Sequence, residues 1–374
     1  MHPLLRKLIE IREFRSIQNS IKTDLASRPK VPLTKEEKDA IYAAYKPFHL
    51  MKDFDYGWFE AYKYFQGKVE PQSIPEDFWK LYEYVLNPHK YQMIQHKGML
   101  HRFLPKEILP VTLVNKMCGV SYDEEDNVIS DEKAKTLLLK QKHFLYKPNI
   151  GTGGGKGLQE IDLSQKDNSE QQAILQDILH RDNFICQELL EGSNKMTRFN
   201  HNPRTVNTIR CITLLLNGKV SVVSSYLRMS AGDTVNDNVS FSTKTNLQKD
   251  TANCYVGIHP DGSLHEFGLC RIDRAKKFYQ SPSGIVFKGE KLEFYERIKE
   301  KLVELHIRYL PLLGFIAWDV TLDENDNIRV IEINLNAQDI DDHHLFNGAV
   351  FANRFDELMK YIEKHNNPFR LLQY

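Results

Sequence analysis

The sequence predicts an α+β protein opened by a mainly helical N-terminal region. Through about residue 90, apolar side chains recur at three- and four-residue steps, the period of an amphipathic helix. From Phe144 onward, short apolar runs bounded by turn residues dominate, as strands require. Two of these runs, 209–216 and 220–227, flank Asn217-Gly218, the strongest short-range hairpin signal.

In chain order, Leu4, Leu5, Leu8, Ile9, Ile17 and Ile21 form an apolar stripe on a basic first helix. It can pack on the domain's own core or lie on a membrane surface. Thr34, with Glu37 three residues on, reads as a capping box opening a second helix. Segments 55–66 and 75–85 place Tyr56, Trp58, Phe59, Tyr62, Phe65, Phe78, Trp79, Leu81 and Tyr82 at helical spacing. Residues 91–142 are a transition, with a helical turn after Gly98, a short strand over 110–114 and an acidic turn over 123–126. Beyond it come strands around 144, 158 and 184, a helix over 170–180, and the Asn-Gly hairpin. A turn at Pro260-Asp261-Gly262, a long helix over 292–313, a final hairpin of 315–322 and 328–335, and one closing helix over 342–363 complete the chain.

The 374 residues suffice for about two or three domains' worth of core. Charged residues make 27% and the formal net charge is zero, which argues against wholesale nucleic-acid binding. Five scattered cysteines without Cys-x-x-Cys spacing point to a reduced compartment and away from a cysteine-rich zinc site. No run of 18 apolar residues and no signal-peptide core appear, so the expectation is a cytoplasmic protein without stable membrane insertion.

Two stretches carry chemistry. The first runs from Tyr146-Lys147-Pro148 through Gly151, Gly153, Gly154, Gly155, Lys156 and Gly157. Glycines so dense have nothing to pack; they suit a loop whose N–H groups approach an anion, or else a flexible hairpin tip. The spacing is neither a Walker A motif nor Gly-x-Gly-x-x-Gly. The second stretch is the last hairpin. Burying Ile316, Trp318, Val320 and Leu322 together with Ile331, Ile333 and Leu335 puts Asp319, Glu332 and Asn334 on the opposite face. Hard oxygen donors of this kind suit Mg²⁺ shared with substrate phosphates, unless the face is simply solvated. His343-His344 beside Asp341-Asp342 admits another metal reading, but an acid-rich helix start accounts for it better. Pairing about Asn217-Gly218 is expected to set Arg210 opposite position 225, so that Arg210 and Arg228 flank one open end of that hairpin as an exposed cationic pair.

A strand ending in Lys-Pro, a glycine-rich loop, Gln187-Glu188-Leu189-Leu190, an arginine-bearing hairpin, and Asp with Glu-x-Asn on the last strands resemble the ATP-grasp superfamily. The run 203–210 with Leu227-Arg228 and Asp237-Asn238 is similar to the sugar-transfer-associated ATP-grasp branch, relatives of the α-L-glutamate ligases. The resemblance spans about 95–350. Residues 1–92 read as helical from their own spacing, and the resemblance implies two α+β subdomains after them, 93–190 and 191–374, that close on ATP. It further implies that Lys97 and Lys147 meet the nucleotide, that Gly153, Gly154, Gly155 and Lys156 close over its phosphates, and that Gln187, Glu188, Leu190 and Asn194 frame the adenosine. Asp319, Glu332 and Asn334 would hold two magnesium ions, with Arg210 and Arg228 neutralising the transferred group. Two departures stand out: Asn194 occupies the place of the usual ribose-binding acid, and the N-terminal region is helical rather than α/β.

The parts suit a carboxylate–amine ligase that makes an acyl phosphate, because phosphoryl transfer needs positioning and charge compensation more than a protein nucleophile. Its carboxylate and amine substrates would be small molecules or glycans, for example an amino acid joined to a sugar acid or peptide in polysaccharide biosynthesis. A kinase acting on a sugar or polyol hydroxyl, and a non-catalytic nucleotide-binding regulator, are the alternatives. The sequence does not set the oligomeric state.

Overall fold

The computed structural model of the chain describes residues 8, 12, 15, 19, 21–50, 54–149, 157–232, 254–270, 275–336 and 338–366. Most of the expected first helix, the glycine-rich residues 151–156 and Asp237-Asn238 lie outside them.

Local capping chemistry sets the N-terminal helices. Thr34 Oγ1 accepts from the Glu37 N–H (3.2 Å) and Glu37 Oε2 accepts from the Thr34 N–H (2.8 Å), opening the helix Lys35–Tyr45. Helices Gly57–Gln66 and Glu76–Tyr82 follow, with a 3₁₀ turn Lys97–Arg102 further on. The described residues of 33–86 share one core with the far end of the chain. Phe54, Phe59, Phe78, Trp79 and Tyr82 cluster there with Ile212, Leu214, Phe315, Ala317 and Leu358.

Two antiparallel sheets follow. The first has the order β3-β2-β1-β6-β4-β5, from β1 (Thr112–Met117), β2 (Val120–Tyr122), β3 (Val128–Ile129), β4 (His143–Pro148), β5 (Gln159–Asp162) and β6 (Phe184–Glu188). The second has the order β11-β10-β9-β8-β7-β12-β13, from β7 (Ile209–Leu216), β8 (Lys219–Met229), β9 (Cys254–Ile258), β10 (Leu264–Leu269), β11 (Lys277–Phe278), β12 (Phe315–Leu322) and β13 (Ile328–Asn334). Helices Asp131–Gln141 and Asn168–Leu179 cover one face of the first sheet, and helix Tyr295–Tyr309 covers one face of the second.

Several expectations change. The helix Asp131–Gln141 falls in the segment read as a transition: it buries only Ala134 and Leu138, too thin a stripe to register, and begins at a Ser130 cap. The strand expected over 110–114 begins at Thr112, after Pro110, and runs to Met117. The single closing helix is two, Ile340–Asn347 and Phe355–His365. Gly348 breaks it at φ +72°, where a Cβ would fall 2.4 Å from Glu70 Oε2. A bulge between Ile212 and Thr213 sets Arg210 opposite Tyr226 rather than 225. A second irregularity, at Asp319/Val320, buries Val330 in place of Ile331 and leaves Ile331 facing a cleft.

Candidate functional site

Strand alternation gives each sheet a core face and a cleft face. On β4, Phe144 and Tyr146 enter the helix-covered core, so Leu145 and Lys147 turn to the cleft. On β6, Phe184 and Cys186 do the same, and Gln187 turns the other way to line a small adjoining cavity. On the second sheet, Arg210 stands opposite both Tyr226 and Asp319, and Asp319 opposite Glu332. Thr208 and Arg228 lie two residues from the first pair and share that face.

The faces meet across a cleft of about 660 Å³, lined among others by Lys97, Lys147, Glu188, Leu190, Asn194, Arg228, Asp319, Ile331 and Glu332. Asn334 lies two residues beyond Glu332, opposite Ala317, and its Nδ2 is buried without a hydrogen-bond partner among the described residues. Gly153, Gly154, Gly155 and Lys156 are outside the described residues. Glu188 is held at the rim: its N–H donates to the Val111 carbonyl (3.0 Å), and its Oε1 accepts from the Val111 N–H (3.0 Å). Asn194 begins the short helix Asn194–Thr197, capped by Ser193.

The two arginines are not the exposed pair expected. Asp319, 1% exposed, compensates both. Arg210 Nε lies 2.8 Å from Asp319 Oδ1, an ion contact not aligned as a hydrogen bond, and its Nη2 lies 3.6 Å from Asp339 Oδ2. Arg228 Nη2 lies 3.1 Å from Asp319 Oδ2, while its Nε donates to Thr208 Oγ1 (2.8 Å). Arg210 is buried behind the cleft wall; Arg228 lines the cleft. Like charges at this spacing require a carboxylate between them, and neither Asp319's pairing nor Asp339 was legible in the hairpin's own sequence.

Lys97 Nζ lies 3.2 Å from Glu332 Oε2 and so links the segment before β1 to β13. Burial pushes the Lys147 ammonium down to about 8, against the pull of Glu332 and with repulsion from Lys97. Burial alone would raise Glu332, but the positive charges of Lys97, Arg210 and Arg228 hold it down at about 2. The Glu332 side chain remains 32% exposed in the cleft, so solvent screens part of this. Lys97 owes its place to Gly98. A Cβ there would meet Asn115 Oδ1 at 2.4 Å and Asn149 Nδ2 at 2.8 Å. Asn149 in turn donates to the Lys116 carbonyl (2.9 Å) and the Phe184 carbonyl (3.1 Å), fixing the end of β4.

Lysines on one wall facing a carboxylate pair on the other can hold a polyphosphate together with a hard divalent cation. Sequence reasoning missed Arg204, Thr208, Ile331 and Asp339. The first three lie in or beside recognised motifs, and Thr208 follows from period-2 spacing with Arg210. Asp339 sits in a loop 129 residues beyond Arg210 and gives no periodic signal.

A family model described as sugar-transfer associated ATP-grasp matches residues 79–360, well over half of the chain and more than the expected 95–350. The chain belongs to the sugar-transfer-associated ATP-grasp family. Its α+β body and helical N-terminal region are the ATP-grasp fold with a helical prelude. Comparison with curated proteins gives no match. Among solved structures, this ATP-grasp chain is similar to the ATP-grasp ligase PsnB complexed with minimal precursor (12% identity, 75% of this chain and 63% of that one, TM-score 0.38). It is also similar to an L-amino acid ligase from Bacillus licheniformis (13% identity, 84% and 57%, TM-score 0.33). A third is the biotin carboxylase of Campylobacter jejuni in a β,γ-ATP complex (12% identity, 75% and 48%, TM-score 0.41). The chain spans less than two thirds of each of these proteins. No helix among the described residues is long and apolar enough to cross a membrane.

Proposed function

We propose that the chain is an ATP- and Mg²⁺-dependent carboxylate–amine ligase working through an acyl phosphate. One observation carries the reading: a lysine pair, Lys97 and Lys147, faces the Asp319–Glu332 carboxylate pair across a single cleft. The donor set suits magnesium. Two carboxylates are cross-strand neighbours, and the Asn334 amide beside them has a nitrogen without a partner, so its oxygen can turn inward. Bound there, magnesium would supply charge compensation on the transferring phosphoryl group.

In this reading the protein's own groups do the following. Lys147, buried at the end of β4, takes up its full positive charge when phosphate oxygens replace the missing solvation. Lys97 leaves Glu332 for the nucleotide. Leu145, Leu190 and Ile331 offer apolar surface to a base, framed by Gln187, Glu188 and Asn194. Gly153, Gly154, Gly155 and Lys156 would cover the phosphates. Arg228 faces the transferring group, and Arg210 fixes Asp319 from behind. The substrate carboxylate attacks the γ-phosphorus, ADP departs, and the amine displaces phosphate from the resulting acyl phosphate. The division of the chain into 1–92, 93–190 and 191–374 belongs to the same proposal, as do a cytoplasmic setting and amino-acid attachment to a sugar acid or peptide.

ATP with Mg²⁺ should raise the melting temperature, since ligand at a hundred times its dissociation constant adds about 2.7 kcal/mol. No shift at millimolar ATP–Mg²⁺ removes the nucleotide assignment. Product analysis then separates the reactions: a ligase yields ADP, free phosphate and an amide, whereas a kinase leaves a phosphorylated product and no free phosphate.

A further inference from the structure

Beside the cleft lies a second, smaller space. It holds about 20 Å³ and is lined among others by Lys97, His101, Lys147, Gln187 and Glu332. A buried water needs about 10–15 Å³ of room and two to four polar partners. Lys147 borders both this cavity and the cleft.

Two groups on the cavity lack a partner. His101 Nδ1 is buried without a hydrogen bond among the described residues, on a side chain only 10% exposed. Lys147 is buried too, and its ammonium makes no hydrogen bond or ion pair among the described residues. An ammonium has three donors and no acceptor, and buried donors left unmet cost free energy. Gln187, whose Nε2 reaches the Pro110 carbonyl only at 3.5 Å, offers a further polar group on the same wall.

The imidazole is set to accept. His101 Nε2 lies 2.7 Å from Asp126 Oδ1, and Arg102 Nη2 donates to the same oxygen (3.2 Å). Burial works against the charge on Asp126, but these bonds hold its carboxyl below the ordinary value. An ionised carboxylate only accepts, which puts the proton of the neutral ring on Nε2 and leaves a lone pair at Nδ1. Asp126 is itself held in the turn between β2 and β3, where its N–H donates to the Asp123 carbonyl (3.1 Å).

We infer that a water in this cavity accepts from the Lys147 ammonium and donates to His101 Nδ1, which makes His101 and Asp126 positioning residues for Lys147. The inference rests on the nucleotide part of the ligase reading and adds what orients its buried lysine. The chain Lys147–water–His101–Asp126 runs from cation to anion with every bond donating in one direction, and bonds so aligned polarise and strengthen one another. The other ammonium donors stay available to phosphate oxygens in the cleft. Neither His101 nor Asp126 lines the cleft, so both act on the nucleotide only through Lys147.

The test titrates ATP–Mg²⁺, and adenosine as a probe without phosphates, into wild type and variants, followed by ligand-observed NMR. His101→Leu should weaken ATP about tenfold and leave adenosine unchanged. His101→Asn, whose amide oxygen can stand in for Nδ1, should recover most of the loss. In Lys147→Met, adding His101→Leu should cost less than a further twofold, because the residue it served is gone. If Lys147→Met binds no ATP, the contrast between ATP and adenosine and the recovery in His101→Asn decide. If His101→Leu does not fold, Asp126→Asn replaces it: an amide can donate to Nε2 and move the ring proton to Nδ1, and the same selective loss of ATP is expected. Unchanged ATP affinity, equal losses for ATP and adenosine, or the full tenfold loss in the Lys147→Met background overturns the inference. Failure of the wild type to bind ATP–Mg²⁺ overturns the nucleotide reading instead.

Discussion

Two ends of one sheet face behave in opposite ways. On β12 and β7, the side chains of Phe315, Ala317, Ile212 and Leu214 lie under the N-terminal helices in an apolar cluster. Two residues along the same strands, on the same face, stand Asp319 and Arg210. The backbone is the same; what changes is the cover. Aromatic helices seal one end, and at the other the face opens on the cleft between the sheets. The boundary places the carboxylates against a low-dielectric wall, where charge interactions gain strength. It also makes each charge there depend on a partner, which is why Asp319 carries contacts to two arginines.

The largest effect should come from moving the boundary. Ala317→Asp places an unpaired carboxylate under the helices, at a position with no exposure. An uncompensated buried charge should cost about 3 to 5 kcal/mol. Urea denaturation measures this, and a loss under 1 kcal/mol would mean that the apolar end is as accommodating as the charged one.

At the charged end, Glu332→Gln keeps shape and removes one unit of charge. Turnover of ATP should fall a hundredfold or more, about 2.7 kcal/mol of transition-state stabilisation, while the urea midpoint stays near that of wild type. A variant turning over ATP at the normal rate would strike the β12–β13 hairpin from the mechanism.

A smaller effect is expected for Arg210→Lys. A lysine cannot span Asp319 and Asp339 as a guanidinium does. The rate should drop about tenfold or more, roughly 1.4 kcal/mol, with ATP affinity nearly constant. Equal losses in rate and affinity would place Arg210 in the nucleotide site, and no loss in either would make the contact dispensable.

The smallest effect is a pH dependence. Lys147 sits near 8 in the empty protein against an ordinary value of 10.5. Between those values the unfolded chain holds the extra proton, so the empty fold gains stability as pH rises through that window. Bound phosphates favour the charged form, so nucleotide affinity should move the other way, falling about fourfold from pH 7 to 8.5. Calorimetric titration with ATP–Mg²⁺ over that range reads it, and a flat profile would show that Lys147 does not meet the nucleotide.

Much of this was legible because it is local. The Thr34–Glu37 capping box, the Asn217-Gly218 turn and the alternation that sets Asp319 opposite Trp318's face each depend on side chains a few residues apart. Such patterns survive in one dimension. The glycine-dense stretch and Glu332-x-Asn334 could be recognised for the same reason.

Other features required the fold. Two strand irregularities moved the register and exchanged Ile331 for Val330, and no sequence pattern announces where a bulge settles, because it answers to packing on both neighbouring strands. The closing helix broke at Gly348 against Glu70, a contact across 278 positions. Arg210 looked like half of an exposed cationic pair until Asp319 and Asp339 came to it from two other elements. The sequence by itself determined the elements whose signals are local, such as the capped helix after Thr34 and the Asn217-Gly218 hairpin, and which residues could bear charge in a site. Tertiary structure alone decided which charges are compensated, because burial and partnership arise only when distant elements exclude water from the same place.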